Sequence, residues 1–429
     1  MTFNIYTLGC KVNTYESNAI IDILKENNYE LVDNNSLSDI TIINTCTVTN
    51  TADNKSLKTI KHAIKNNKGI IIVMGCLTQI SAEIVKNIDG VSIIVGNRNK
   101  TCIPKLIEQY LQEKKQIVQI KDLNKEEFEP MKIVDFNKTR AFVKIQDGCN
   151  NFCSYCIIPY SRGNVCSKNP KDVISEIKAL VSNGYKEVVL TGIHTGHYGQ
   201  DLTKYSFYDL LKDILEIKGL ERVRISSIEM NEITDEIIAL IKDNHILVDH
   251  MHIPLQSGSN KILKLMNRKY LKEDFIEKIE SLRKARPSIS ITTDLIVGFP
   301  YETEELFNET IETINRIKFS KIHVFPYSRR KNTVADKMPN QVDDKIKKER
   351  VKKILDISKN LEIEYMNKFI NQDVLVLPET YKNGYIYGHT TNYLNVKIKS
   401  DEKIKEIIKV KIIKVDYPYC IGEIIESKW

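Results

Sequence analysis

The strongest constraint on this chain is a repeated alternation of short β-rich runs with helical stretches, which stops near residue 369. Strands are predicted at Phe3–Leu8, Asp39–Thr45, Gly69–Gly75 and Val91–Gly96, and helices at Thr14–Asn28, Thr51–Asn66, Gln79–Asn87 and Thr101–Glu113. Such alternation makes a parallel sheet with helices on its faces, so residues 1–115 are expected to form a small doubly wound α/β domain. Residues 116–138 are polar and irregular and read as a linker. The alternation then resumes over residues 139–368. Strands are predicted at Ala141–Ile145, Glu187–Thr191, Arg222–Ser226, His250–Pro254, Ser290–Val297 and Lys321–Phe325. Six βα units suggest a complete or partial barrel, closed by a long amphipathic helix at about Asp343–Phe369. Residues 369–429 carry only strand signals, with turns at Asn383-Gly384, Ser400-Asp401 and Tyr417-Pro418, and read as a small antiparallel β-barrel.

Composition narrows the class. Of 429 residues, 42% are hydrophobic and 28% charged, the balance of a globular protein rather than a disordered polyelectrolyte. Apolar runs such as Gly69–Gly75 have the length of buried strands, far short of the roughly 18–20 residues of a membrane span. The start lacks a basic segment followed by an apolar one, so no signal peptide and no membrane partner are expected, and the cytoplasm is the expected compartment. The net charge is +7. A basic run, Lys345-Ile-Lys-Lys-Glu-Arg-Val-Lys-Lys353, reads either as a solvated helix face or as a surface that contacts phosphates.

Nine cysteines, an odd number with no secretion signal, argue against a disulfide scaffold. The sharpest pattern is Cys149-Asn-Asn-Phe-Cys153-Ser-Tyr-Cys156, just after a predicted strand. Three thiolates on a loop can wrap a four-iron cluster and leave one iron open to a small molecule. The alternative is a zinc knuckle, which closes with a fourth ligand; Cys166 could supply one. A second set is dispersed. Cys10, Cys46 and Cys76 each stand at the carboxyl end of a predicted parallel strand, and in an open α/β sheet those ends share the edge where ligands bind. Three thiolates there again suit a cluster with an open iron. Cys102, Cys166 and Cys420 read as structural.

The Cys149–Cys156 loop, with Tyr155 before its last cysteine, resembles the radical-SAM signature. Thr7-Leu-Gly-Cys-Lys-Val-Asn13, Asn44-Thr-Cys46 and Gly75-Cys76 resemble the N-terminal domain of the radical-SAM methylthiotransferases. Asp147–Gly163, His252–Ser259 and Asp294-Leu-Ile-Val-Gly-Phe-Pro300 resemble their barrel. The tail, with Gly388-His-Thr-Thr-Asn-Tyr393 and Gly422, is similar to a TRAM domain, a small barrel that binds RNA. Within the family, Gly9-Cys-Lys-Val-Asn13 looks like the MtaB type, which acts on N6-threonylcarbamoyladenosine at position 37 of tRNA. The MiaB type, acting on isopentenyladenosine, typically reads Gly-Cys-Gln-Met-Asn. The RimO type, acting on a ribosomal-protein aspartate, typically reads Gly-Cys-Pro-Lys-Asn. One departure stands out: the family usually has glycine after Gly-Phe-Pro, and here Tyr301 follows.

The resemblance implies two 4Fe–4S clusters, held by Cys149, Cys153 and Cys156 and by Cys10, Cys46 and Cys76, with S-adenosylmethionine as cofactor. It implies a deoxyadenosyl radical that takes hydrogen from C2 of the adenine, where a methylthio group is then placed. Polar acid–base chemistry offers no easy route at that carbon. It implies tRNA as partner, engaged at the anticodon loop, and an electron donor such as flavodoxin or ferredoxin. Tyr155, Thr191, Gly192, Ser226 and Ser227 are the expected cofactor contacts, the last four at the strand ends of the barrel. No catalytic acid or base is singled out: His194, His197, His250 and His252 read as satisfied rim histidines. Modification of isopentenyladenosine or of a protein aspartate, and a zinc-bound RNA-binding module without activity, are the competing readings.

Overall fold

Strands β3 (Ile40–Thr45) and β4 (Ile70–Gly75) are buried at every position, as central strands covered on both faces must be. In the computed structural model, which describes residues 1–67, 69–124, 127–136 and 138–426, they centre a parallel sheet. Its other strands are β1 (Thr2–Thr7), β2 (Glu30–Leu31), β5 (Ile93–Val95) and β6 (Ile117–Gln119), in the order β2-β1-β3-β4-β5-β6. The doubly wound expectation holds. Two short strands had no sequence signal. One of them, β6, lies inside the segment read as linker and pairs with β5; residues 125, 126 and 137 of that segment lie outside the described residues. Helices α1 (Lys11–Glu26), α2 (Asn50–Asn66), α3 (Cys76–Lys86) and α4 (Ile103–Glu113) follow β1, β3, β4 and β5. Thr49 caps α2, its hydroxyl accepting from the Ala52 amide at 3.1 Å.

Six parallel strands form the central unit: β7 (Arg140–Lys144), β8 (Glu187–Thr191), β9 (Arg222–Ile225), β10 (His250–His252), β11 (Ser290–Val297) and β12 (Lys321–Pro326). They pair as β9-β8-β7 and β10-β11-β12. A parallel bridge from Val223 to Leu247 links the two halves at β9, so the described strands make a partial barrel. The helix Asp344–Asn367 packs along β12. Its basic run is not simply a solvated face. Lys347 and Arg350 are buried; Arg350 pairs with Glu302 at 2.8 Å and lies over the Phe307 ring at 5.0 Å. Lys345, Lys348 and Lys352 remain exposed.

The tail forms a closed barrel of β13 (Asp373–Lys382), β14 (Tyr385–Thr390), β15 (Asn395–Lys399), β16 (Ile408–Asp416) and β17 (Tyr419–Glu426), ordered β13-β14-β15-β17-β16. Burial alternates strictly along β14, the period of a strand with one face on a core. The expected antiparallel barrel is antiparallel at every seam but one: β15 and β17 run parallel. The reason is arithmetic, because an odd number of strands cannot close with every neighbour antiparallel. No helix among the described residues is long and apolar enough to cross a membrane.

Candidate active site

The strand order of the first sheet reverses between β1 and β3, and at such a switch point a crevice opens beyond the carboxyl ends. Cys10 and Cys46 follow these two strands, and Cys76 opens α3 after β4. Local backbone brings them together. Gly9 has φ +96°, and a Cβ there would lie 2.9 Å from the Cys46 sulfur; Gly75 has φ +108°, and its Cβ would lie 2.7 Å from Oδ1 of Asn44. Only glycine suits both positions. Cys10 is exposed at the rim, while Cys46 and Cys76 are buried. Asn97 donates to the Cys76 sulfur at 3.3 Å. Burial pushes the Cys46 thiol up to about 11, and the neighbouring Cys76 and Cys10 add to the rise. Three thiols at one crevice, with ionisation disfavoured at Cys46, are what a bound metal centre would deprotonate and hold.

The second set sits on the loop between the paired segments Gln146–Asp147 and Cys166–Ser167. Arg268 donates to the Cys153 sulfur at 3.4 Å, and Nδ1 of His194 is 3.5 Å from the Cys149 sulfur. Burial pushes the Cys156 thiol up to about 12, with Cys153 and Cys149 contributing. Cys166 does not join them: after burial, its electrostatic neighbours are Arg98, Asp201 and Asp147. In neither set do all three sulfurs lie within 4.8 Å of one another, whereas tetrahedral zinc with Zn–S of about 2.3 Å brings its sulfurs to about 3.8 Å. The donor sets are three thiols wide apart, a fit for a polynuclear cluster rather than a single ion.

His194 and His197 share one carboxylate partner. Their Nε2 atoms lie 3.0 and 3.2 Å from Oε1 of Glu232, and their rings stack at 3.5 Å. Burial opposes the charge on His194, but Cys149 and Glu232 outweigh it and push its pKa up to about 10. Burial would raise Glu232, yet the two histidines hold it down at about 2. Glu232 had no sequence signal, because it lies far from both histidines in the chain.

The expected cofactor contacts divide. Thr191 ends β8 with its buried hydroxyl unpartnered among the described residues, as is that of Thr195. These orphaned groups beside the Cys149 loop fit a polar ligand. At Gly192 a Cβ would lie 2.9 Å from Oε1 of Gln146, so the Gln146 side chain packs against the bare glycine backbone there. Ser226 lines a cavity of about 490 Å³, and Ser227 does not. Tyr155 packs edge-on against Phe299, with ring centres 6.3 Å apart.

A buried charge cluster joins the two cysteine sites. Glu16 of α1 accepts from Lys100 at 2.6 Å, Lys144 at 2.7 Å and Arg162 at 2.8 Å. Asp147 accepts from Lys144 at 2.7 Å, Arg98 at 2.9 Å and Arg162 at 3.2 Å. Burial works against Glu16, but Arg162, Lys100 and Lys144 hold its carboxyl well below the usual range. Burial likewise disfavours the Arg162 charge, and Cys76, Glu16 and Asp147 more than restore it. Four cations thus face two carboxylates, a surplus suited to nearby thiolates.

Residues 143–314 match the model of the radical SAM superfamily, and residues 2–96 that of uncharacterized protein family UPF0004. The chain is 44% identical over 434 aligned positions to threonylcarbamoyladenosine tRNA methylthiotransferase MtaB of Bacillus subtilis (strain 168), covering 99% of this chain and 96% of that protein. It is 38% identical to the tRNA-2-methylthio-N(6)-dimethylallyladenosine synthase of Clostridium perfringens (strain SM101 / Type A), covering 99% and 98%. Among solved structures, the radical S-adenosylmethionine methyltransferase TsrM from Kitasatospora setae aligns with a TM-score of 0.58 at 11% identity, over 78% of this chain and 73% of that one, a likeness of fold. Relatives this similar along nearly the whole length, and a match to the radical SAM model, place the chain in the radical-SAM methylthiotransferase family.

Proposed function

We propose that the protein inserts a methylthio group at C2 of N6-threonylcarbamoyladenosine at position 37, in the anticodon loop of tRNA. The observation that carries this reading is the 44% identity, over 99% of the chain, to a relative named for threonylcarbamoyladenosine. As a radical-SAM protein it uses a 4Fe–4S cluster and S-adenosylmethionine, which when bound supply one-electron chemistry at a C–H bond without a leaving group. In this reading Cys149, Cys153 and Cys156 hold that cluster, and Arg268 and His194 place donors at its sulfur ligands. Thr191, Gly192, Ser226 and Ser227 meet S-adenosylmethionine at the strand ends, and Tyr155 braces the cysteine loop against Phe299. Cys10, Cys46 and Cys76 hold a second 4Fe–4S cluster, with Asn97 donating to one of its sulfurs. The target base must leave its stack, which costs least in a single-stranded loop. Exposed Lys345, Lys348 and Lys352 and the C-terminal barrel hold the RNA backbone. A flavodoxin or ferredoxin supplies electrons in the cytoplasm. Residues 1–115, 139–368 and 369–429 serve as sulfur-carrying, radical-generating and RNA-holding units.

The test is nucleoside mass spectrometry after anaerobic incubation of reconstituted protein with sulfide, reductant, S-adenosylmethionine and tRNA. The tRNA carries either threonylcarbamoyl- or isopentenyladenosine. A methylthio product from the former alone supports the proposal. The 38% identity to a dimethylallyladenosine synthase motivates the second substrate; product from it alone keeps the reaction and overturns the substrate.

A further inference from the structure

The cavity of about 490 Å³ is bounded by barrel strands, by Lys11 from the first unit and by Tyr393 from the C-terminal barrel. That volume suits a modified base with its substituent. Its charged lining residues are Lys11, Arg140, Arg224, Asp294, Lys321 and Glu362. Four of them stand in ion pairs. Arg140 pairs with Glu379 at 2.9 Å, Arg224 with Glu187 at 2.7 Å, and Lys321 with Glu362 at 3.0 Å. Asp294 lies 3.3 Å from Nε2 of His252. Lys11 alone of these makes no hydrogen bond or ion pair with a described residue. The Tyr393 ring is also occupied: it stacks between His250 and His389 at 4.7 and 4.6 Å, with Arg140 and Arg224 over it. The cavity wall is thus largely engaged in ion pairs, and the exposed Lys11, set directly after Cys10, is left without a hydrogen-bond or ion-pair partner among the described residues.

A free ammonium in a concave site is a partner for one small anion. N6-threonylcarbamoyladenosine carries one, the carboxylate of its threonine; an isopentenyl substituent carries none. We infer that Lys11 binds this carboxylate and so selects an adenine with an anionic N6 substituent over one with an apolar substituent. The inference rests on the substrate reading above and adds the residue that enforces it. An RNA phosphate is the other source of an anion, and the experiment separates the two.

Binding of fluorescent anticodon stem-loops to cluster-reconstituted protein is measured by anisotropy, with product formation read in parallel. Three stem-loops are compared: threonylcarbamoyladenosine, its threonine methyl ester, and unmodified adenosine. Wild type is expected to bind the acid roughly 10- to 100-fold more tightly than the ester, the range of a charge-assisted contact. Lys11→Gln should bind the acid as weakly as the ester, and Lys11→Arg should restore much of the preference. Equal wild-type binding of acid and ester overturns the assignment without recourse to any variant. So does a Lys11→Gln loss that is the same on the unmodified stem-loop, which would mark a phosphate contact. Product from the acid stem-loop without ester discrimination overturns only the role of Lys11. Absence of product from it in wild type overturns the substrate reading as well.

Discussion

Nη2 of Arg162 donates to Oδ1 of Asn13 at 2.7 Å, tying the short helix Ile158–Arg162 that follows one cysteine set to the helix that begins at the other. The same guanidinium reaches Glu16 and Asp147, so one buried side chain spans the joint between the first sheet and the barrel. Arg162→Ala would take one cation from each of two buried carboxylates, leaving Lys100 and Lys144 on Glu16 and Lys144 and Arg98 on Asp147. Losing charge-assisted hydrogen bonds costs about 1.5–3 kcal/mol. A loss of that size is expected in chemical denaturation, together with weaker retention of iron at both sites; an unchanged midpoint would show that the joint does not depend on Arg162.

The two cysteine sets should be separable. Cys153→Ala and Cys46→Ala are each expected to keep about half of the wild-type iron and sulfide after reconstitution, since each removes one ligand of one three-thiol set. Cleavage of S-adenosylmethionine should disappear in Cys153→Ala and persist in Cys46→Ala, which instead loses sulfur transfer. Equal loss of cleavage in two folded variants would contradict this division.

Tyr301 occupies the left-handed region at φ +67°, where its amide donates to the Asn340 carbonyl at 3.0 Å. The departure seen in the sequence thus falls at a position that favours glycine. A non-glycine residue there costs about 1–2 kcal/mol. Tyr301→Gly is expected to raise the urea midpoint by the equivalent of about 1 kcal/mol, less whatever the half-buried ring contributes. A lower midpoint would mean that the ring's packing exceeds the backbone strain.

Acid should loosen the seat of the C-terminal barrel. Glu187 is fully buried and faces Arg224 at 2.7 Å, Arg222 at 3.7 Å and Arg140 at 3.9 Å. Arg222 and Arg224 in turn donate to the carbonyls of Leu375, His389 and Thr391. Burial would raise the Glu187 carboxyl, but the arginines win and hold it below 4.5. A carboxyl lowered in the folded state contributes stability above its unfolded value of about 4.3 and loses it as pH falls through the folded value. Urea midpoints should therefore drop below about pH 4.3 in wild type. Glu187→Gln should be less stable at neutral pH and show a flatter acid limb; an identical limb would place the sensitivity in other carboxylates.

Much of this molecule was legible along the chain because its signals are local. Continuous apolar runs such as Ile70–Val73 specify buried strands, and the Cys149–Cys156 spacing is short enough to define a site by itself. Elements without a local signal do not show in the sequence: β2 and β6 are two and three residues long. Burial split the basic run of the long helix, since Lys347 and Arg350 face the barrel while their neighbours face solvent.

The sequence by itself determined the three units, the two cysteine sets and the family, because each depends on residue type and near spacing. Only the tertiary structure decided that the strand order reverses between β1 and β3, that Arg162 joins the two sites, and that Glu232 pairs both histidines. Those are matters of which distant side chains meet in a low-dielectric interior. There an ion without a partner is costly and one with a partner is silent, and no pattern of neighbours along the chain records the difference.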